Sequence, residues 1–114
     1  MMVVVAIATG KILAMPSIGN GVDGVGFMDA SGYAISSSGG GSITVVDTRA
    51  GKPFAVAQTL ETGSGARTMV IDQKTRRIYL PSAQFEAPAP DAKPGKSPKM
   101  KPGTFKIVVV GPNE

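Results

Sequence analysis

With neither cysteine nor histidine among its 114 residues, the chain cannot form disulfides, thiolate nucleophiles, zinc sites built on Cys or His, or a histidine general base. The net charge of +4 is modest, and aromatic side chains make up only 5% of a chain whose apolar residues are mostly Val, Ile, Ala and Met. That composition favours closely spaced β-sheets over a large ligand cavity. The 15 glycines and 9 prolines break the chain often, which is typical of short strands joined by turns.

The apolar run at residues 2–8 predicts a β-strand at residues 3–7. A turn follows at residues 9–11, and a second short strand is predicted at residues 12–15. The alternative for the apolar run is the remnant of a signal peptide, but it lacks a preceding basic region, since Lys11 follows the apolar residues. The run is also too short to span a bilayer, so we predict no membrane span.

Clusters of β-branched residues and the alternation of large and small side chains predict the strands that follow, and no segment shows a sustained helical period. The first group comprises residues 22–27, 33–36, 43–47 and 54–60. The second group comprises residues 66–72, 77–80 and 104–110. A glycine-rich run at residues 38–42 predicts a flexible hairpin connection. The sequence therefore predicts an all-β chain.

Residues 83–103 form a segment of different composition, in which prolines alternate with lysines. The prolines are Pro88, Pro90, Pro94, Pro98 and Pro102, and the lysines are Lys93, Lys96, Lys99 and Lys101. Proline cannot donate to a strand ladder, so we predict a long exposed or partly disordered loop inserted in a hairpin. Nucleic acid, an anionic membrane surface and an acidic partner are alternatives for the lysines. Because the lysines are spaced and lack interleaved aromatic residues, we favour a solvated loop and no nucleic-acid site.

The two groups of strands repeat one pattern. Gly19 corresponds to Gly63 and Gly21 to Gly65, a period of about 44 residues, which is within the range typical of propellers and repeat arrays. The period divides the chain into three units, which are residues 1–18, residues 19–62 and residues 63–114, the last with the insertion at 83–103.

The two copies resemble the repeat of the YVTN/YncE-like β-propellers, a family of lactonase-like seven-bladed propellers. The matching segments are Gly19-Asn20-Gly21-Val22-Asp23-Gly24, Thr44-Val45-Val46-Asp47-Thr48, Gly51-Lys52, Gly65-Ala66-Arg67-Thr68-Met69, Asp72-Gln73-Lys74-Thr75, Ile78-Tyr79-Leu80-Pro81 and Pro102-Gly103-Thr104-Phe105. The chain departs from the repeat in two places. Ala6 stands where the repeat usually has Asp, and Met28 with Asp29 stands where an Asp-Pro pair is common.

The resemblance implies an all-β fold that is a partial β-propeller, with about two antiparallel four-stranded blades plus half of a preceding blade. Residues 22–28 and 66–72 would be innermost strands that line the central channel, and the last blade would lack its fourth strand. An incomplete wheel exposes apolar blade faces and an unpaired strand edge, so we expect the isolated chain to self-associate or to be only marginally stable. The parent proteins of this type resemble exported bacterial proteins of mostly undefined role, which implies a periplasmic or extracellular location.

Asp23 and Arg67 are the candidate ligand-binding residues. They occupy equivalent places at the start of the two innermost strands, so the resemblance puts both at one mouth of the channel, where Arg67 suits an anionic group. The alternative, which we favour, is an ion pair between blades or plain solvation. The glycines at positions 19–24 also match a dinucleotide-binding pattern, but a strand and not a helix follows them, so we interpret them as turn residues.

Ser36, Ser37 and Ser38 lack a candidate general base, and the acidic residues do not cluster as metal ligands, so we predict no catalytic residue, no metal site and no cofactor. The sequence therefore predicts a non-enzymatic binding or scaffolding propeller module of the YncE-like type, with an unassigned small-molecule or protein ligand. The alternative is a fragment of a lactonase-like hydrolytic propeller whose active site needs further blades.

Overall fold

The computed structural model describes residues 1–113, which fold into three antiparallel β-sheets without a helix. Sheet A contains β1 (Val4–Val5) and β2 (Ile12–Ala14). Sheet B contains, in spatial order, β3 (Val22–Met28), β4 (Tyr33–Ser38), β5 (Ser42–Asp47) and β6 (Val56–Glu61). Sheet C contains β7 (Val70–Asp72), β8 (Arg77–Ser82) and β9 (Lys106–Val110). The all-β prediction is confirmed for these residues, and residue 114, the last of the predicted third unit, lies outside them.

The strand positions and registers repeat along the chain. Tyr33 and Arg77, the first residues of β4 and β8, lie 44 positions apart, and the two strands have the same length. The β1–β2 pair and the β5–β6 pair each contain a register shift, at Val4/Val5 in sheet A and at Val45/Val46 in sheet B. Sheet A therefore has the same pairing as the outer two strands of sheet B.

Sheets B and C stack face to face around the hydrophobic core. Successive side chains of a strand point to opposite faces, so each sheet contributes alternate residues. The core comprises Met28, Ile35, Ile43 and Val45 from sheet B, Ile78 and Leu80 from sheet C, and Ala66 from the segment between the sheets. Complete burial of an Ile or Leu side chain stabilises a fold by about 1.5–3 kcal/mol. We call the face of sheet B that contributes to this core its C side.

The opposite face of sheet B, which we call its A side, has mostly small and polar residues on its two middle strands, β4 and β5. Ser36, Ser38, Thr44 and Val46 lie on it and are almost completely buried. Gly19, in the segment that leads from sheet A into β3, lies against this face, because a Cβ atom there would come within 2.7 Å of Ser38 Oγ. The chain between sheet A and β3 therefore packs on the side of sheet B that faces away from sheet C.

Two glycines on the C side let β3 approach the second repeat closely. A Cβ atom at Gly24 would lie 3.1 Å from the Arg67 carbonyl oxygen, and one at Gly26 would lie 2.6 Å from Ile71 Cδ1. Glycine in a strand interior marks such close approaches of another backbone. Since the neighbour of Gly24 is backbone, it cannot move aside as a flexible side chain can.

The strand predicted at residues 54–60 starts two residues later in the structure, where β6 begins at Val56. Phe54 has a φ of 52°, a left-handed conformation that a regular strand does not contain. The Asp47 amide donates a hydrogen bond of 3.1 Å to the Ala55 carbonyl oxygen, which closes the turn after β5. The turn therefore extends further into the chain than the alternation of side chains indicates.

The predicted strand at residues 66–72 is paired only from Val70 onward. In the first repeat, Ser37 of β4 pairs with β3. The equivalent position in β8 is Pro81, which has no N–H group to donate to a ladder. The ladder between β7 and β8 therefore stops before it reaches this proline.

The insertion at residues 83–103 starts and ends as a paired stem. Phe85 pairs with Met100, and the Glu86 amide donates a hydrogen bond of 2.8 Å to the Lys99 carbonyl oxygen. The residues between them form turns and irregular chain and are exposed. The predicted exposed loop is therefore the tip of the insertion, whereas its base extends the β8–β9 hairpin.

Candidate functional site

The two candidate ligand-binding residues meet across the interface between sheets B and C. A terminal guanidinium nitrogen of Arg67 lies 3.4 Å from Asp23 Oδ1, and the two side chains form an ion pair. Asp23 lies in β3. Arg67 precedes β7, although the sequence predicted a strand that includes it. The side chains are 63% and 34% exposed for Arg67 and Asp23, so solvent screens their attraction. The structure thus brings both residues together, and a ligand role for either stays a prediction.

Further polar contacts join the two repeats along β3. The Ser37 hydroxyl donates a hydrogen bond to the Arg67 carbonyl oxygen. At the other end of β3, Gln73 accepts a hydrogen bond of 3.1 Å from the Asp29 amide and donates one of 2.7 Å to the Phe27 carbonyl oxygen. Asp29 and Gln73 are 44 positions apart, as are Asp23 and Arg67. Each end of β3 therefore carries a contact between equivalent positions of the two repeats.

The glycine-rich segment at residues 19–24 leads into β3 and is bound to the turn between β4 and β5. The Gly39 amide donates a hydrogen bond of 2.8 Å to the Gly21 carbonyl oxygen, and the Gly40 amide donates one of 3.4 Å to the Asn20 carbonyl oxygen. A dinucleotide-binding loop of this pattern needs a helix whose N-terminus meets the phosphates. Here a strand follows, as the sequence predicted.

The three serines of β4 are buried, Ser37 on the C side of sheet B and Ser36 and Ser38 on its A side. Ser36, Ser37 and Ser38 have no exposed surface, so no substrate can reach their hydroxyl groups in this fold. Within the described residues the hydroxyl groups of Ser36, Ser38 and Thr44 have no hydrogen-bond partner from the protein. These small side chains therefore serve the close packing of sheet B.

A groove with a volume of about 310 Å³ lies between sheets B and C, beside the last strand. Its floor is the C side of sheet B, and its wall is the end of sheet C. The floor includes Met28, Tyr33, Ile35, Ile43, Val45, Gln58 and Leu60, and the wall includes Ile78, Val110, Gly111 and Pro112. The lining is mainly apolar with a few polar groups, which is the usual composition of a binding site.

The groove exists because the two stacked sheets differ in their number of strands. Sheet B has four strands and sheet C has three, so sheet C leaves the part of sheet B near β6 uncovered. Gln58 and Leu60 of β6 consequently line the groove opposite Val110 of β9. The resemblance implied the missing fourth strand, but the groove itself was not predicted. Its walls come from strands that are far apart in the sequence and are joined only by the stacking.

A second charged cluster lies at the end of β5. Arg49 donates two hydrogen bonds to the Asp47 carboxylate, of 2.9 Å to Oδ1 and 2.6 Å to Oδ2. This hydrogen bonding lowers the pKa of Asp47 to about 2 and raises the pKa of Arg49. The guanidinium also lies 5.5 Å from the centre of the Tyr33 ring.

At the turn after β7, a hydrogen bond from the Thr75 hydroxyl lowers the pKa of Asp72 in a similar way. Both carboxylates hold turns in place.

The tip of the insertion surrounds a second hollow of about 590 Å³, lined only by residues of the insertion itself. Lys93, Lys96 and Lys99 lie around it together with Glu86 and Asp91. All five side chains are exposed and carry both signs of charge. The tip therefore does not present an uninterrupted basic surface.

Within residues 1–113, no group of three or more His, Cys, Asp or Glu side chains is placed to hold a metal ion. No helix in this part of the chain has the length and apolar character that crossing a membrane requires. No protein-family model, curated protein or solved structure matches the chain. A functional conclusion therefore rests on the sheets, the ion pair between the repeats and the groove.

Proposed function

We propose that this chain is a non-enzymatic binding or scaffolding module built from β-propeller repeats of the YVTN/YncE-like type. Sheet A is then the outer half of one blade, sheet B a complete blade and sheet C a blade with three strands. One observation carries the proposal: equivalent positions of the two repeats contact each other, Asp23 with Arg67 and Asp29 with Gln73. Such contacts arise when successive copies of a repeat stack against their neighbours, as propeller blades do.

The open face of sheet C supports a stacking role. Tyr79 and Val109 pair on this face, and Val109 is 52% exposed. Their equivalents in sheet B, Ile35 and Val45, also pair with each other, but are only 2% and 8% exposed because sheet C covers them. A face that is covered in one repeat is thus open in the next. Since an exposed apolar face marks an interaction site, a further sheet is expected to pack there.

The other end of the stack presents a matching apolar surface. Val5 and Ile12 pair with each other in sheet A, and both are exposed, as is Ile7. The molecule thus exposes a different apolar sheet face at each end. Contacts of this head-to-tail kind build rings or filaments from copies of one chain, or join a chain to further blades. The proposed scaffolding role is to hold further sheets at these two ends.

Sedimentation velocity across a dilution series tests this proposal. We expect association that depends on concentration, and we expect Val109→Lys to weaken it, because the substitution places a charge in the face that a further sheet would cover. The matched control is Met100→Lys in the stem of the insertion, where the native side chain is 48% exposed, and this change leaves association intact. A sharp monomer at every concentration would contradict the scaffolding role.

A further inference from the structure

The outer edge of β9 has no partner strand in the described part of the chain, although its counterpart in the first repeat does. β5 pairs with β4 on one side and with β6 on the other. Among residues 1–113, β9 pairs with β8 alone. Its outer edge therefore presents backbone N–H and C=O groups in the row that an added strand would use.

The groove of about 310 Å³ lies directly beside this edge. Val110 of β9 forms part of its wall, while Gln58 and Leu60 of β6 lie on its floor. Side chains of a strand alternate between the two faces of its sheet. An additional strand on β9 would therefore direct every second side chain into the groove, against the uncovered part of sheet B.

We propose that the β9 edge and this groove bind an extended peptide segment of a partner protein as a fourth antiparallel strand of sheet C. The peptide carries apolar side chains at alternate positions, and these fill the groove. In strand addition, main-chain hydrogen bonds supply affinity and the pockets for alternate side chains supply specificity. The inference rests on the proposed binding role and names the class of its ligand.

A partner peptide fits this site better than a second copy of the chain. The two strands of the chain that hold the equivalent position are β2 and β6, and each is attached to its own sheet through β1 or β5. A second copy could therefore offer either strand only with a whole sheet attached to it, whereas a free peptide needs room for one strand. The outer edge of β2 offers only the three residues Ile12–Ala14. Arg76 also lines the groove and favours a peptide with a carboxylate at that end.

The chain itself provides the pattern for a probe, because β6 fills this position in the first repeat. A fluorescein-labelled synthetic peptide of residues 54–62 is titrated with the full chain and followed by fluorescence anisotropy. We expect saturable binding, together with slowed amide exchange at residues 107–110. Successive N–H groups of a strand point to its opposite edges, so a peptide with both Gln58→Pro and Thr59→Pro loses one N–H donor on each edge, whichever edge meets β9. We expect this peptide to bind about tenfold more weakly or worse.

Two neighbouring residues of β9 give a matched pair of variants in the full chain. Val110→Asp places a carboxylate in the apolar wall of the groove and weakens peptide binding about tenfold or more. Val109→Asp changes the opposite face and leaves peptide binding intact. Because Val109 lies in the proposed stacking face, this control also separates the two proposals. A Val109→Asp chain that no longer associates but still binds the peptide supports both, whereas one that binds the peptide and associates as before supports strand addition alone.

Unchanged binding by Val110→Asp, or protected amides elsewhere than at residues 107–110, would overturn the proposal. Dissociation of associated copies of the chain by an excess of the unlabelled peptide, followed by sedimentation velocity, would show that a second copy occupies the groove, which would overturn the choice of a partner peptide. Circular dichroism establishes whether each variant is folded. If Val110→Asp does not fold, amide exchange in the unmodified chain with and without peptide decides the question.

Discussion

Asp23 and Arg67 lie 44 positions apart in the chain, and their side chains meet at 3.4 Å across the interface of sheets B and C. The Asp29 amide and the Gln73 side chain have the same separation in sequence and meet at 3.1 Å. Residues at equivalent positions of the two sequence repeats thus contact each other in the folded chain. This follows because each copy of the repeat forms one sheet and successive sheets stack.

The ion pair between Asp23 and Arg67 contributes little to stability, because both side chains remain in contact with solvent. A double-mutant cycle with Asp23→Asn and Arg67→Met is expected to give a coupling free energy of about 0.2–1 kcal/mol. Urea unfolding at low and high salt measures it, and salt should reduce it further. A coupling of about 3 kcal/mol that salt does not change, the size typical of buried pairs, would contradict this account.

Gly24 has a steric role in the interface between the repeats. Gly24→Ala is expected to lower the free energy of unfolding by about 1–3 kcal/mol, because the new Cβ would lie 2.5 Å from Ser37 Oγ and 3.1 Å from the Arg67 carbonyl oxygen. The control is Gly40→Ala, where the nearest atom is the Asn20 carbonyl oxygen at 3.4 Å. Denaturant unfolding compares the two, and an equal loss in both variants would exclude crowding at Gly24 as the cause.

Thr44 and Thr59 face each other across β5 and β6 and form a natural pair of test and control. Thr44 is 1% exposed and its hydroxyl has no protein partner within the described residues, whereas Thr59 is exposed. Thr44→Val is therefore expected to raise the free energy of unfolding by about 1–3 kcal/mol, since it removes an unpaired buried polar group. Thr59→Val should change it far less. A loss of stability in Thr44→Val would mean that its hydroxyl is hydrogen-bonded in solution.

Asp47 makes the stability of the fold depend on pH in the acid range. The hydrogen bonds from Arg49 lower its pKa from 3.8 to about 2, so the unfolded chain takes up a proton more readily than the folded chain. This contribution is complete above about pH 4 and is lost as the pH falls toward 2. Asp47→Asn should therefore be less stable than the native chain at pH 7, and the difference should shrink by pH 2. Urea unfolding at several pH values measures it, with Asp91→Asn in the insertion as a control for the loss of one negative charge. A difference that stays constant from pH 7 to pH 2 would contradict this role.

The sequence by itself determined the all-β class, the positions of most strands and the repeat. β3 and β5 lie within one residue of the strands predicted from the side-chain pattern at residues 22–27 and 43–47, because alternating side chains and flanking turn residues are local signals. The 44-residue period likewise needs only comparison of the chain with itself. It pairs Asp23 with Arg67 as equivalent residues, although it does not show that they touch.

Only the tertiary structure decided where the strand ladders end and which surfaces the strands form together. Residues 66–72 have the local pattern of a strand, but Pro81, on a different strand, removes the donor that would extend the ladder. The groove likewise joins Leu60 of β6 to Val110 of β9, whose positions in the sequence are separated by the whole insertion. The physical reason is that periodicity reports the two faces of one strand, whereas pairing and stacking depend on which residues of other strands those faces meet.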